Sequence, residues 1–254
     1  MRTAAHKGGR LNCAYCGREA DPTDEHVLPQ WLRGELPEHS VVSPARGRHL
    51  FGGELVVNDV CVSCNGGPLS RLDEFAKGYF VKGLDSTDSL SAEDSQRMAR
   101  WAAKVCYNSQ RAAMKLGSAG AEPEMPVELR EWILRGGPWP RSVRMTMCRF
   151  PESHRDTDET GTFGPNKMPL PRRYLKLRRA LFFMAWDPPG QPGASEAIAA
   201  SDRAQLPGVD MNSAGDPIGI PMIADANMPL RGVWNNRELL EKMGKKFSAE
   251  QSEE

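Results

Sequence analysis

Apolar and polar positions repeat with different periods along this chain, and the period identifies the elements. Leu69, Leu72, Phe75, Ala76, Tyr79 and Phe80 recur at three- and four-residue intervals, one stripe of a helix that begins after Asn65. Met98, Trp101, Ala102, Val105, Ala112 and Leu116 repeat that spacing, and Arg97, Arg100, Lys104, Arg111 and Lys115 fill the other positions. A second helix over 92–116 therefore turns its apolar face to a core. Pro126 opens and Gly136-Gly137-Pro138 closes a short helix over Val127–Leu134. Val143, Met145 and Met147 alternate with Arg144, Thr146 and Cys148, the pattern of a strand with one polar face, and the apolar run Leu181–Trp186 reads as a buried strand. Near the start, the apolar Val27-Leu28 ends at Pro29 with Trp31-Leu32 as its anchor, and the β-branched Glu54–Val60 is extended.

This order of elements predicts an α+β chain, with an N-terminal domain over 1–88 and a mixed helical and strand accessory region over 89–254. Ser86–Ser89 is the expected linker. Residues 1–11 read as a loose tail, 151–171 as a long loop, Asn236–Lys245 as a last helix and Glu250–Glu254 as an acidic tail. The Pro/Gly-rich stretch 188–230 has no period that assigns an element.

The formal net charge is zero, which argues against indiscriminate nucleic-acid binding, but the charges are unevenly spread. Residues 131–190 hold 11 Lys/Arg against 6 Asp/Glu, and Arg172, Arg173, Lys176, Arg178 and Arg179 cluster around Tyr174. Basic residues interleaved with an aromatic suit a phosphate-tracking nucleic-acid surface; the same residues also suit a solvated strand or helix face. No apolar run approaches the roughly 18 residues of a membrane span. The expectation is a cytoplasmic protein with no membrane partner.

Six cysteines are present, and four fall in two C-x2-C pairs, Cys13/Cys16 and Cys61/Cys64. Two such pairs supply the four thiolates of a structural zinc site, with Gly17 able to take the positive φ of a thiolate turn. A plain zinc ribbon without chemistry would use the same residues. The stretch between the pairs adds Glu25-His26, and Asn65 follows Cys64 directly. An imidazole titrates near neutral pH and can take a proton from water. Glu25, adjacent on an extended segment, points to the opposite side, where its carboxylate can bind a divalent cation with Asn65 as an oxygen partner. Asn65 is also a preferred helix N-cap. Asp73, in the helix beyond, supports the site or is a solvated acid.

Cys13-x2-Cys16, Glu25-His26-Val27-Leu28-Pro29, Asn58 and Cys61-x2-Cys64-Asn65 together resemble the HNH nucleases of the ββα-metal type, over about the first 85 residues. The resemblance implies a zinc-stapled ββα domain. It assigns His26 as general base, Glu25 and Asn65 as ligands of one catalytic Mg2+ or Mn2+, and Asn58 as the residue orienting the histidine segment, with His49 the other candidate for that middle position. It implies an endonuclease acting on nucleic acid, double-stranded DNA foremost, with 89–254 supplying target binding, a protein partner or homo-oligomer contacts. The alternative is a zinc-stapled nucleic-acid- or protein-binding module without catalysis.

Overall fold

The computed structural model describes residues 10–32, 40–43, 48–51, 56–82, 89–115, 124–149, 161–163, 171–177, 179–205, 209–211 and 218–219; for 40–43, 48–51, 161–163, 201–205, 209–210, 218–219, Lys82, Ala113 and Lys176 it describes the backbone alone. The expectations for the tail up to residue 9, the terminal helix at 236–245 and the acidic end fall outside these residues.

Short strands β1 (Leu11–Asn12) and β2 (Glu19–Ala20) pair as a hairpin around the first cysteine pair. Next come β3 (Pro22–His26), a 3-10 turn at Gln30–Leu32, β4 (Ser40–Ser43) and β5 (Arg48–Phe51) as a second antiparallel pair, and then β6 (Val56–Cys61). The segment between β3 and β6 thus contains a hairpin, with His49 on β5 opposite Val42. β3 and β6 are antiparallel neighbours in the register Pro22↔Cys61, Thr23↔Val60, Glu25↔Val57 and His26↔Val56. Between the second and third of these pairs, Asn58 and Asp59 both stand opposite Asp24, a bulge that re-aims side chains at this point.

Helical backbone begins at Val62, earlier than the apolar stripe suggests, because the second cysteine pair is itself wound into α1 (Val62–Cys64). A wider turn at Asn65–Leu69, kinked at Gly67 and containing Pro68, leads into α2 (Ser70–Lys82). The expected stripe holds: Leu69, Leu72, Ala76 and Phe80 are buried, with Phe75 and Tyr79 packed beside them. Strand–strand–helix is therefore the order around the four cysteines.

After β7 (Ser89–Leu90), α3 (Ala92–Lys115) runs for 24 residues, and α4 (Val127–Arg135) follows. α4 ends at Gly136, whose φ of 71° suits glycine and whose amide closes on the Trp132 carbonyl at 2.8 Å. The rest is a five-stranded antiparallel sheet in the order β12-β8-β11-β10-β9, formed by β8 (Val143–Arg149), β9 (Gly161–Phe163), β10 (Arg172–Leu177), β11 (Ala180–Trp186) and β12 (Val209–Asp210). α5 (Ala194–Gln205) precedes β12, and β13 (Ile218–Gly219) pairs with β7.

Three expectations are corrected here. β8 does not have a polar outer face: Thr146 and Cys148 are as buried as Met145 and Met147, because β8 lies between β11 and β12 and α5 packs against it. The stretch 151–171 is not wholly loop, since β9 pairs Phe163 with Tyr174. Helix α5 and β12 arise in the stretch without periodicity; Asp187 fixes the helix start by accepting the Gly193 and Ser195 amides at 3.0 and 2.7 Å.

α3 carries the packing of the whole chain. Its apolar face meets the sheet, with Trp101 edge-on to Phe182 at 6.4 Å, and Trp101 also packs near Phe80 of α2 and Trp31. A polar stripe of the same helix lies against β3 and β6, where Lys104 and Asn108 meet Glu25 and Arg111 meets Asp59, so these residues are buried. One hydrophobic cluster runs from Cys13 and Val57 through Met98 and Trp101 to Met145 and Trp186. The core is continuous across the boundary expected at 88/89.

Candidate metal centre

The β1–β2 hairpin projects Cys13 and Cys16 as a knuckle. Cys13 donates its amide to the Arg18 carbonyl at 2.9 Å, the Gly17 amide returns to the Cys13 carbonyl at 2.8 Å, and Gly17 takes φ of 71° as the sequence required. The Ala14 amide, bonded to the Asp59 carbonyl at 2.8 Å, pins this knuckle to β6, at whose end Cys61 stands. One turn of α1 then brings Cys64 alongside. All four sulfurs lie within 4.8 Å of one another.

The chemistry of this donor set fits zinc. Zn–S bonds of about 2.3 Å place tetrahedral sulfurs about 3.8 Å apart, and Cys16 and Cys61 are separated by 3.8 Å. Burial would raise the Cys13 thiol, but the amides of Cys16, Cys61 and Tyr15 outweigh it and hold the group down at about 7. Burial pushes the Cys61 and Cys64 thiols upward, and the charge of Cys13 adds to the effect. A divalent cation among them reverses that repulsion, since thiols ligate as thiolates. Cys106 and Cys148 are fully buried elsewhere, and burial raises each to about 12.

Asn65 is not used as a helix cap. Its side-chain amide crosses to β3 and donates to Thr23 Oγ1 and to the Asp24 carbonyl, both at 3.0 Å, while Thr23 donates to the Val60 carbonyl at 2.8 Å. The residue after the second knuckle is thereby fixed beside the strand that carries His26. His26 is half-buried, with the Gln30 amide nitrogen 3.2 Å from Nε2 and 3.5 Å from Nδ1.

Glu25 faces the other way, into the protein, and is only 4 % exposed. Its Oε1 accepts from Lys104 Nζ at 2.6 Å and from Asn108 Nδ2 at 3.3 Å. Lys104, itself 0 % exposed, also contacts Asp73 Oδ2 at 2.6 Å, and Trp101 Nε1 donates to Asp73 Oδ1 at 3.1 Å. Asp73 is thus a working member of a buried network. Burial holds the Glu25 carboxyl above its ordinary range although Lys104 opposes the shift. Magnesium keeps several waters when bound by protein carboxylates. A sequestered carboxylate already in contact with an ammonium does not fit as its ligand, so the set expected for a catalytic cation, Glu25 with Asn65, is not assembled in this arrangement.

Asn108 extends the network. Its Oδ1 accepts from Tyr15 at 2.7 Å and from Arg111 at 3.0 Å, and Arg111 pairs with Asp59 while its guanidinium lies over the Tyr15 and Tyr107 rings. Lys115 donates to Asn58 Oδ1 at 2.6 Å and approaches Asp59 at 3.6 Å, so Asn58 is engaged with α3. Lys104, Asn108, Arg111 and Lys115 contact Glu25, Asn58 and Asp59, a placement that the sequence reading did not assign them. Their four- and three-residue spacing marks a second, polar stripe along the helix, legible as such only once both flanks are known to be covered.

Two members of the expected basic cluster, Arg173 on β10 and Arg179 after it, are withdrawn from solvent, while Arg172 is half-buried. Arg173 and Arg179 are 3 % and 7 % exposed, Arg173 donates to Ser109 of α3 at 3.0 Å, and Tyr174 is buried edge-on to Phe183. The side chains of Lys176, Arg178 and His49 lie outside the described residues. No described helix is long and apolar enough to cross a membrane. The sequence matches no protein-family model, no curated protein and no solved structure.

Proposed function

We propose that this chain is an HNH-type endonuclease that hydrolyses nucleic-acid phosphodiester bonds, double-stranded DNA foremost, with His26 as general base. The observation that carries the reading is the Asn65 side chain reaching back to Thr23 and Asp24, beside His26, from the turn that follows the second cysteine pair. The strand–strand–helix order around four clustered thiols supports it. Half-buried but open to solvent, the imidazole can take a proton from water as that water attacks phosphorus. Gln30 steadies the ring. Zinc at the cysteines would hold the β1–β2 knuckle against the end of β6 and α1, outside the reaction. A requirement for Mg2+ or Mn2+ belongs to this proposal, and no step is assigned to a cation held by Glu25.

The test is nicking of supercoiled plasmid by the zinc-loaded protein with Mg2+, Mn2+ or Ni2+, beside His26→Ala. The expected result is single-strand breaks that need the added metal and vanish in the variant while zinc content and fold persist. Undiminished cleavage by His26→Ala, or cleavage surviving excess chelator, overturns it. A second reading, a zinc-stapled binding module without turnover, is favoured by the Glu25–Lys104 pair; retained nucleic-acid binding with no cleavage under any metal would establish it.

A further inference from the structure

Lys104 joins three elements at one atom. Its Nζ is 2.6 Å from Glu25 Oε1 on β3 and 2.6 Å from Asp73 Oδ2 on α2, while its own backbone belongs to α3. Asn108 and Trp101, one turn to either side on the same helix face, bond the same two acids. An ammonium with no access to water must find its counter-charges and acceptors inside the protein, and each acid left without it would be a buried anion lacking a partner. The three side chains therefore hold one another in a fixed relation. The next residue after Glu25 is His26, and the strand register is already irregular at Asp24, where two residues of β6 face one of β3. A strand end beside a bulge has fewer ladder bonds to fix its side-chain directions, so a buried anchor at Glu25 has a specific task there.

We propose that Glu25 is a positioning residue: clamped by Lys104 and Asn108 of α3, it sets the direction of His26 and does not ligate the reaction's cation. The inference rests on the reading of His26 as the base. It makes α3 part of the catalytic unit, and it assigns the Glu-His pair a division of labour in which the acid anchors and the imidazole reacts.

The test uses the full-length, zinc-loaded protein and the variants Glu25→Gln, Lys104→Met and the two combined. Three quantities are read: thermal unfolding, Mn2+ affinity from titration without substrate, and plasmid nicking. Each single variant is expected to melt lower than the wild type and to nick at least about tenfold more slowly. The double variant, which removes the Glu25 and Lys104 charges together but leaves Asp73 without its ammonium, should recover part of the melting temperature and still nick at least about tenfold more slowly, because the clamp is gone. Mn2+ affinity should stay within about twofold throughout, since no ligand has been touched.

Loss of Mn2+ binding by tenfold or more in Glu25→Gln returns Glu25 to the cation and overturns the proposal, and so does a double variant that nicks like the wild type. Single variants that melt and nick like the wild type overturn it as well. Should a single variant not fold, Asn108→Ala removes one bond to the same oxygen: slower nicking with unchanged Mn2+ affinity supports the clamp, and unchanged nicking or weaker Mn2+ binding sinks it. A wild-type protein that cuts nothing with any metal removes the nuclease reading and the positioning role with it. The unfolding cycle and the Mn2+ titration, which need no turnover, separate that case from failure of this inference alone.

Discussion

Asn65 donates to Thr23 Oγ1 at 3.0 Å, and Thr23 passes its own hydroxyl hydrogen to the Val60 carbonyl at 2.8 Å. This relay ties the start of the helical run to both strands. Aspartate caps helices as well as asparagine does, but it has no hydrogen to give. Asn65→Asp is therefore expected to lower stability by about 1–3 kcal/mol through two lost bonds and a carboxylate set against the Asp24 carbonyl. Urea unfolding of the zinc-loaded variant measures this. A wild-type midpoint would mean that the relay carries no weight.

His26→Ala separates chemistry from structure. The ring is half-buried and outside the buried Lys104 network, so melting temperature and zinc content are expected to stay near the wild type. Nicking should fall by about 10²–10⁴-fold, the usual worth of a general base. Gln30→Ala should slow nicking by a smaller factor, read in the same assay.

The cysteine cluster predicts a metal-dependent fold. Elemental analysis of protein purified without added chelator should give about one zinc per chain, and Cys64→Ala should lose it. Chelation should lower the melting temperature and open four thiols to alkylation, while Cys106 and Cys148 stay unreactive until global unfolding. Labelling followed by mass spectrometry distinguishes the two groups.

Arg173 is expected to behave as a core residue. Arg173→Met should cost about 1–3 kcal/mol, because Ser109 loses a donor and other groups facing the guanidinium lose theirs. It should leave the salt dependence of any nucleic-acid binding unchanged, whereas loss of a phosphate contact lowers that slope by about 1. Binding measured across a salt series decides between the two.

Asp187 gives a pH signature. Burial would raise its carboxyl, but the Ser195 and Gly193 amides outweigh that and hold it below the ordinary range. A depressed folded value stabilises the protein above the unfolded carboxylate's pKa of about 4 and is lost as pH falls through the lower folded value. Asp187→Asn, which keeps one acceptor oxygen for these amides and loses the other, should therefore be less stable at neutral pH by about 1 kcal/mol, the worth of one hydrogen bond. The difference should close in acid. Unfolding curves at several pH values check the sign.

Period and punctuation made much of this chain legible. The α2 stripe, the extents of α3 and α4, and the strands at 143–149 and 180–186 follow from apolar spacing with Pro126 and Gly136 as stops. The thiol cluster follows from two C-x2-C pairs because metal chemistry fixes their convergence. Sequence alone did not disclose which polar residues would be covered. Lys104, Arg111 and Arg173 read as solvated because charge normally marks a surface, yet each is buried beside a partner contributed by a distant segment. Glu25 and His26 were rightly separated by strand alternation, but only the placement of α3 reveals that the inward side belongs to Lys104. Helix α5 escaped notice because its many alanines give no apolar stripe, and its start depends on an aspartate several residues upstream.

α3 is a shared wall, with cysteine-bearing strands on one side and the five-stranded sheet on the other. Excising it would strip a lid from both compartments at once, leaving the Glu25 carboxylate bare and the Phe182 face wet. The thiol cluster at one end and Trp186 at the other thus share a common helix within one continuous hydrophobic cluster.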